Sequence, residues 1–153
     1  MNDYQKQLVQ SSFRHVVPIA DQAATLFYDC LFSLDPSLRS LFKGDMAKQG
    51  LKLMNTLQLA VNGLDDLEKI VPALQSLGRR HAGYGVQDAH YATVGEALIW
   101  TLEQGLGAEF TAEVRAAWLE TYRLLSSVMQ DAANEMTLEQ AIAAAMADGK
   151  AIN

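Results

Sequence analysis

The sequence has little of what marks a secreted, membrane or disulfide-bonded protein. It contains one cysteine, Cys30, among 153 residues, which excludes an intramolecular disulfide and a zinc site built on cysteines. Cys30 stands in the apolar stretch 26–32, which favours a packing role over redox sensing. No run approaches the roughly 18 apolar residues of a membrane span, and residues 1–6 lack the apolar core of a signal peptide. We therefore expect a soluble, cytoplasmic protein.

Basic residues are also few. Twelve Lys and Arg stand against 18 Asp and Glu, which gives a formal net charge of −6. This balance disfavours nucleic acid, whose phosphates need a basic surface, and it disfavours binding to anionic lipid. The acidic residues are dispersed along the chain, so they most simply serve solubility. The expected partner is a small molecule or another protein.

Only three prolines and ten glycines interrupt the sequence. Between them apolar residues recur at intervals of three and four, which predicts an all-α chain. Its length suits one domain with its own core. The expected helices run from about 3 to 16, 18 to 32, 36 to 42, 47 to 62, 89 to 106 and 111 to 134, with one more that ends at His81 and has Pro72 in its first turn. We expect the last two long helices to form a central packed pair, and the alanine-rich tail 137–153 either to dock as a short helix or to fray.

Common catalytic motifs are absent. The chain has no Gly-x-Ser-x-Gly turn around a nucleophile, no phosphate-binding loop and no His-Glu-x-x-His metal motif. Its three histidines, at positions 15, 81 and 90, lack the spacing of zinc ligands. The remaining signal is a set of residues that could line one pocket.

His81 lies at the end of an apolar helical stripe and just before a glycine-rich exit. The stripe consists of Ile70, Leu74 and Leu77. A histidine in this position is either a core residue with a satisfied ring or an axial ligand to something large, flat and apolar. Side chains from other segments could share one cavity with it, namely Tyr28, Phe42, Gln49 and Leu53.

The order and spacing of short motifs carry a further signal. They are VPIAD at 17–21, LFYDCLF at 26–32, DP at 35–36, LF at 41–42, LGRRH at 77–81, GV at 85–86, HY at 90–91, VGEAL at 94–98 and AAWLETY at 116–122. Together they resemble the globin family, and most closely its bacterial single-domain members and the haem domains of flavohaemoglobins. The resemblance covers roughly residues 5–133. It implies a globin domain over 1–136, followed by the tail, and haem b as the cofactor.

The resemblance also implies roles for individual residues. His81 becomes the proximal ligand of the haem iron and leaves the opposite face open for a gas. Phe42 packs flat against the porphyrin, Gln49 takes the distal position, and Leu53 forms an apolar wall beside the gas. Tyr28 matches the distal tyrosine of bacterial globins. A phenol O–H and an amide N–H aimed at bound dioxygen in a dry pocket would slow its departure, so we expect high oxygen affinity.

Other matches concern the haem edge and the proximal side. Lys52 is the first candidate to pair with the haem propionates, and Arg80 is the second. Two apolar residues match proximal contacts with the porphyrin, Leu77 and Val86. Tyr91 matches the tyrosine of a proximal tyrosine–glutamate network in flavohaemoglobins, but the glutamate position falls at Ala133. A strongly peroxidase-like iron is therefore not expected.

The implied function is reversible binding of dioxygen, nitric oxide or carbon monoxide at a five-coordinate ferrous iron, by a monomer or weak homodimer. An enzymatic alternative is nitric oxide dioxygenation or nitrite reduction. Because the sequence holds no flavin or nicotinamide domain, either reaction would depend on a separate reductase. A third interpretation is a haem-based sensor or interaction module that acts through the tail.

Overall fold

The computed structural model describes residues 1–135 together with residues 140, 142, 143 and 146. The rest of the predicted tail lies outside the described residues. Residues 1–135 form six α-helices without a strand, and a 3-10 segment joins each consecutive pair of helices except α4 and α5. The helices are α1 (Asp3–Val16), α2 (Ala20–Leu34), α3 (Met46–Asn62), α4 (Leu67–Gly83), α5 (Asp88–Leu106) and α6 (Ala112–Asn134). The predicted all-α fold is confirmed, and none of these helices is long and apolar enough to cross a membrane.

Side-chain caps account for several helix starts. The side chains of Asn2, Asp45 and Thr111 accept hydrogen bonds from backbone N–H groups at the beginnings of α1, α3 and α6. Such caps satisfy donors that the first turn leaves without an intrahelical partner. Pro18 lies in a 3-10 turn, so α2 begins only at Ala20, two residues later than predicted.

Pro72 does not mark the first turn of α4, and that prediction is wrong. The helix begins at Leu67 and contains Pro72 in its interior. Leu67 packs against the core, and Ile70 is buried. The burial of this first turn outweighs the one intrahelical hydrogen bond that Pro72 cannot donate.

The two longest helices do not form the predicted central pair. α6 packs most extensively against α4, whereas α5 packs most extensively against α2. Contact between α5 and α6 includes Gly95, where the ring of Tyr122 lies against the α5 backbone. Each long helix therefore has a different main partner, and the space between the resulting layers holds a cavity.

Candidate functional site

A large apolar cavity opens among α2, α3, α4, α5 and α6. It comprises about 1180 Å³ of space free of atoms, with its open mouth included. Most of the side chains that line it are aliphatic or aromatic, such as Phe27, Leu31 and Leu98. A pocket of this kind suits a large apolar ligand that a few polar groups orient.

Seven of the predicted site residues line this cavity: Tyr28, Phe42, Leu53, Leu77, His81, Val86 and Tyr91. Three others are not among its lining residues. Gln49 is buried, at 3% exposure, and Lys52 is half-buried on α3. Arg80 lines a smaller recess between α3 and α4 that shares four lining residues with the main cavity: Thr56, Ala60, Leu74 and Leu77.

His81 lies in the last turns of α4 with its ring in the cavity wall. Its Nδ1 is 2.8 Å from the backbone carbonyl oxygen of Leu77. A carbonyl only accepts hydrogen bonds, so Nδ1 carries the proton and the lone pair of the neutral ring is on Nε2. The N–H of Val86 donates to the His81 carbonyl at 3.0 Å, across a turn that Gly85 allows with a φ of +100°. The ring is therefore oriented with its proton on Nδ1 and its basic nitrogen at Nε2, the form of the ring that ligates a metal.

Tyr28 occupies another wall of the cavity, on α2. Its hydroxyl donates a hydrogen bond to the backbone carbonyl of Gln49 at 3.3 Å, which is long for an O–H donor. The ring packs edge-on against Phe42, with centroids 5.4 Å apart, and is stacked at 6.0 Å on Phe32. Burial raises the pKa of the Tyr28 phenol well above its usual value of 10. The hydroxyl is therefore a neutral donor at physiological pH.

Two buried polar atoms have no hydrogen-bond partner in the described part of the protein. They are Oε1 of Gln49 and the hydroxyl of Tyr91. A buried polar group without a partner costs about 1 to 3 kcal/mol. The Tyr91 hydroxyl belongs to a side chain that lines the cavity, so a group bound there is a natural partner for it.

The described residues around Tyr91 supply no hydrogen-bond partner for its hydroxyl. Burial, and then the charge of Asp88, raise the pKa of Tyr91 to about 12. Tyr122 donates its hydroxyl to the backbone carbonyl of Tyr91 at 2.6 Å, which fixes the main chain but leaves the side chain unpaired. Position 133, where a network resembling that of flavohaemoglobins would have glutamate, holds a half-buried alanine. The tyrosine therefore has no carboxylate from that position to bind.

Sequence reasoning missed the contribution of α6 and of His90 to the cavity. The α6 residues that line it are Trp118, Thr121, Tyr122, Leu125, Ser126 and Met129. Their spacing of three and four was the available signal, but it indicates any buried face and does not separate core from pocket. His90 lines the cavity from the first turn of α5, where its Nδ1 accepts a hydrogen bond from the Gln87 N–H at 3.0 Å.

These features define a class of protein: an all-helical domain with a large apolar cavity and an oriented histidine, His81, in its wall. Haem fits the residues present, because the walls are apolar, His81 presents a basic nitrogen and the Tyr91 hydroxyl lacks a partner. Tyr28 and Leu53 face the same space from α2 and α3.

Comparison with known proteins agrees with this class. The family profile described as Globin matches residues 25–129, and the chain belongs to the globin family. Neuroglobin from Danio rerio is 31% identical, with 84% of this chain and 90% of that protein covered. Neuroglobin from Chaenocephalus aceratus is 29% identical with the same coverage. The globin resemblance inferred from the motifs is confirmed, and it extends to vertebrate members of the family.

Two solved structures have the same architecture. An engineered carbene transferase, described as a nitric oxide dioxygenase from Rhodothermus marinus, is 26% identical, with a TM-score of 0.80 over 88% of this chain and 94% of its own. A hexacoordinated haem protein from an anhydrobiotic tardigrade is 15% identical, with a TM-score of 0.81 over 88% of this chain and 96% of its own. The second likeness concerns the fold alone.

Proposed function

We propose that this globin binds dioxygen and other diatomic gases reversibly at haem b held by His81. The observation that carries the proposal is the hydrogen bond from His81 Nδ1 to the Leu77 carbonyl in the wall of an apolar cavity. Haem, when bound, supplies the iron at which a gas binds. Nε2 of His81 would hold the iron, and the apolar side chains of Phe42 and Leu53, which line the cavity, would exclude water from the bound gas.

Tyr28 is the proposed donor to the bound gas. Aromatic contacts on two sides hold its ring, and burial keeps its phenol protonated. The hydroxyl's bond to the Gln49 carbonyl is long, so redirecting it towards a ligand loses little. A donor in a dry cavity contributes on the order of 1 to 3 kcal/mol, which corresponds to roughly tenfold or more in dissociation rate. We therefore propose high oxygen affinity.

Gln49 is the proposed second donor. Its side chain is buried, and its Oε1 has no partner among the described residues. Turning the amide towards the cavity would break no hydrogen bond at that oxygen. The proposal therefore needs only a rotation of the Gln49 side chain.

Lys52 and Arg80 are the proposed partners of the haem propionates. The Arg80 side chain is held in place on α4, because its Nη1 donates to Ser76 Oγ at 2.8 Å. It lines the recess that adjoins the cavity, and the ion pairs found in the described part of the chain do not involve it. A carboxylate leaving the cavity edge would meet a cation not already paired.

The first test is spectroscopic. The purified protein is compared with the variant His81→Ala in its oxidised, reduced and oxygenated forms. We expect a Soret band that shifts with oxygen in the wild type, and loss of the histidine-ligand signature in the variant. A wild-type protein that takes up no added haem, or a variant with an unchanged signature, would refute the proposal.

A second candidate function is nitric oxide dioxygenation in the cytoplasm, with electrons supplied by a separate reductase. The Rhodothermus marinus protein described by that activity has 26% identity and the same fold, which favours this candidate. Mixing the oxygenated protein with nitric oxide in a stopped-flow instrument, followed by re-reduction with cellular reductases, separates turnover from storage. A single stoichiometric reaction without re-reduction would leave only reversible binding.

A further inference from the structure

α4 and α6 lie backbone to backbone at Gly78. A Cβ atom placed on Gly78 would stand 2.7 Å from the Cα and 2.8 Å from the carbonyl carbon of Met129, closer than real Cβ atoms come. The obstacle is main chain, so no rotation of a side chain can relieve it. Any residue larger than glycine would force the two helices apart.

The same turn of α4 carries the candidate ligand. Leu77, next to Gly78, provides the carbonyl that orients the His81 ring, and His81 follows Gly78 by three residues. Leu77 and His81 line the cavity, as does Met129 on the facing helix. A displacement of α4 relative to α6 at this point would therefore move His81 within the cavity.

We propose that Gly78 is a positioning residue. Its missing side chain lets α4 lie directly on α6, and this contact sets where Nε2 of His81 stands. The inference rests on the proposed function, since it takes His81 to be the iron ligand. Gly95 differs, because a Cβ there would meet the side-chain ring of Tyr122 and not the main chain of α6.

The test is Gly78→Ala. Alanine in a helix interior normally stabilises a protein relative to glycine. A loss of stability in this variant would therefore indicate the clash with the α6 backbone. We expect a lower urea midpoint, a shifted iron–histidine stretching frequency in the resonance Raman spectrum of the reduced protein, and haem loss faster by roughly tenfold. The matched control is Gly105→Ala in α5, where the nearest atom is Ile19 Cδ1 at 3.3 Å and belongs to a side chain. The control should leave the frequency unchanged.

A second pair of variants separates position from general damage. In His81→Gly with added imidazole, the iron ligand is no longer attached to α4. Adding Gly78→Ala to that variant should then leave the iron–imidazole frequency unchanged. An equal shift with and without the covalent ligand, or no shift in Gly78→Ala itself, would overturn the inference.

One measurement needs no variant and covers the case in which Gly78→Ala does not fold. Hydrogen exchange of the haem-bound wild type should place the amides of Leu77 and Gly78 among the slowest in α4, because the helix is packed on α6 there. Fast exchange at both amides would overturn the inference. A wild-type protein without haem would refute the proposed function, whereas histidine-ligated haem with an unaltered Gly78→Ala spectrum would refute only the role of Gly78.

Discussion

The indole Nε1 of Trp118 donates a hydrogen bond to the hydroxyl of Ser12 at 2.9 Å, and both side chains are buried. The Ser12 hydroxyl in turn donates to the carbonyl of Leu8 at 2.7 Å. Trp118 lines the cavity, and its ring lies 6.1 Å from that of Phe13. The first helix is therefore joined to the cavity wall by a polar bond as well as by apolar packing.

Ser12→Ala should destabilise the protein by about 1 to 3 kcal/mol, because it leaves a buried indole N–H without an acceptor. Urea unfolding followed by tryptophan fluorescence measures the change. Ser11→Ala is the matched control, since the neighbouring serine is exposed. Equal losses in the two variants would contradict the importance assigned to the Trp118 bond.

Tyr91→Phe should leave the stability of the haem-free protein unchanged or raise it by up to about 2 kcal/mol. The reason is that the hydroxyl it removes is buried and has no partner. Tyr122→Phe makes the same chemical change but removes a 2.6 Å bond to the Tyr91 carbonyl, and it should cost about 1 kcal/mol or more. Urea unfolding of both variants decides the matter, and a larger loss in Tyr91→Phe than in Tyr122→Phe would show that Tyr91 has a partner.

The helices were predictable because their signals are local. The side chains of Asn2, Asp35 and Thr111 cap their elements, and each cap involves only residues within one turn of the chain. The start of α4 was predicted too late in the chain, because the burial of Ile70, a tertiary effect, extends the helix to residues before Pro72. The main partners of α5 and α6 also depend on tertiary packing, which periodicity within one helix does not encode.

The candidate site shows the same difference between what a local pattern predicts and what depends on tertiary packing. Residues on apolar stripes, such as Leu53 and Leu77, reach the cavity because the stripe faces the interior. The direction of a long polar side chain is not set by its stripe, which is why Gln49 and Arg80 lie beside the cavity lining and not in it. The backbone contact at Gly78 was not predictable, because a glycine inside a helix does not reveal which helix it faces.

Stability should fall with rising pH above about pH 10, the usual pKa of tyrosine in an unfolded chain. Burial raises the pKa of Tyr28, Tyr91 and Tyr122, with Tyr91 at about 12. Above the unfolded value, the unfolded chain releases protons that the folded protein keeps, so the contribution is complete below about pH 10 and is lost as pH rises through the folded pKa. Each tyrosine contributes up to about 1.4 kcal/mol per pH unit.

Urea unfolding between about pH 9 and about pH 12, with phenolate absorbance recorded in parallel, measures this dependence. Tyr91→Phe should reduce the slope above about pH 10. A slope that is the same in this variant and in the wild type would mean that Tyr91 titrates alike in the folded and unfolded states.

Tyr28→Phe should separate ligand binding from stability. The lost bond to the Gln49 carbonyl is 3.3 Å long, so the cost to the haem-free protein should be below about 1 kcal/mol. If the hydroxyl serves the bound gas, oxygen dissociation should be faster by roughly tenfold or more. Stopped-flow displacement of oxygen by carbon monoxide measures the rate, and Tyr4→Phe, at a largely exposed position, is the control.

An unchanged dissociation rate in Tyr28→Phe would mean that the hydroxyl stays on the Gln49 carbonyl when a gas is bound. Gln49→Leu then becomes the informative variant, because it removes the side-chain amide and keeps the carbonyl that holds Tyr28. Faster dissociation in Gln49→Leu alone would transfer the donor role from the phenol to the amide. Faster dissociation in both variants would require two donors, since neither substitution removes the other's donor group.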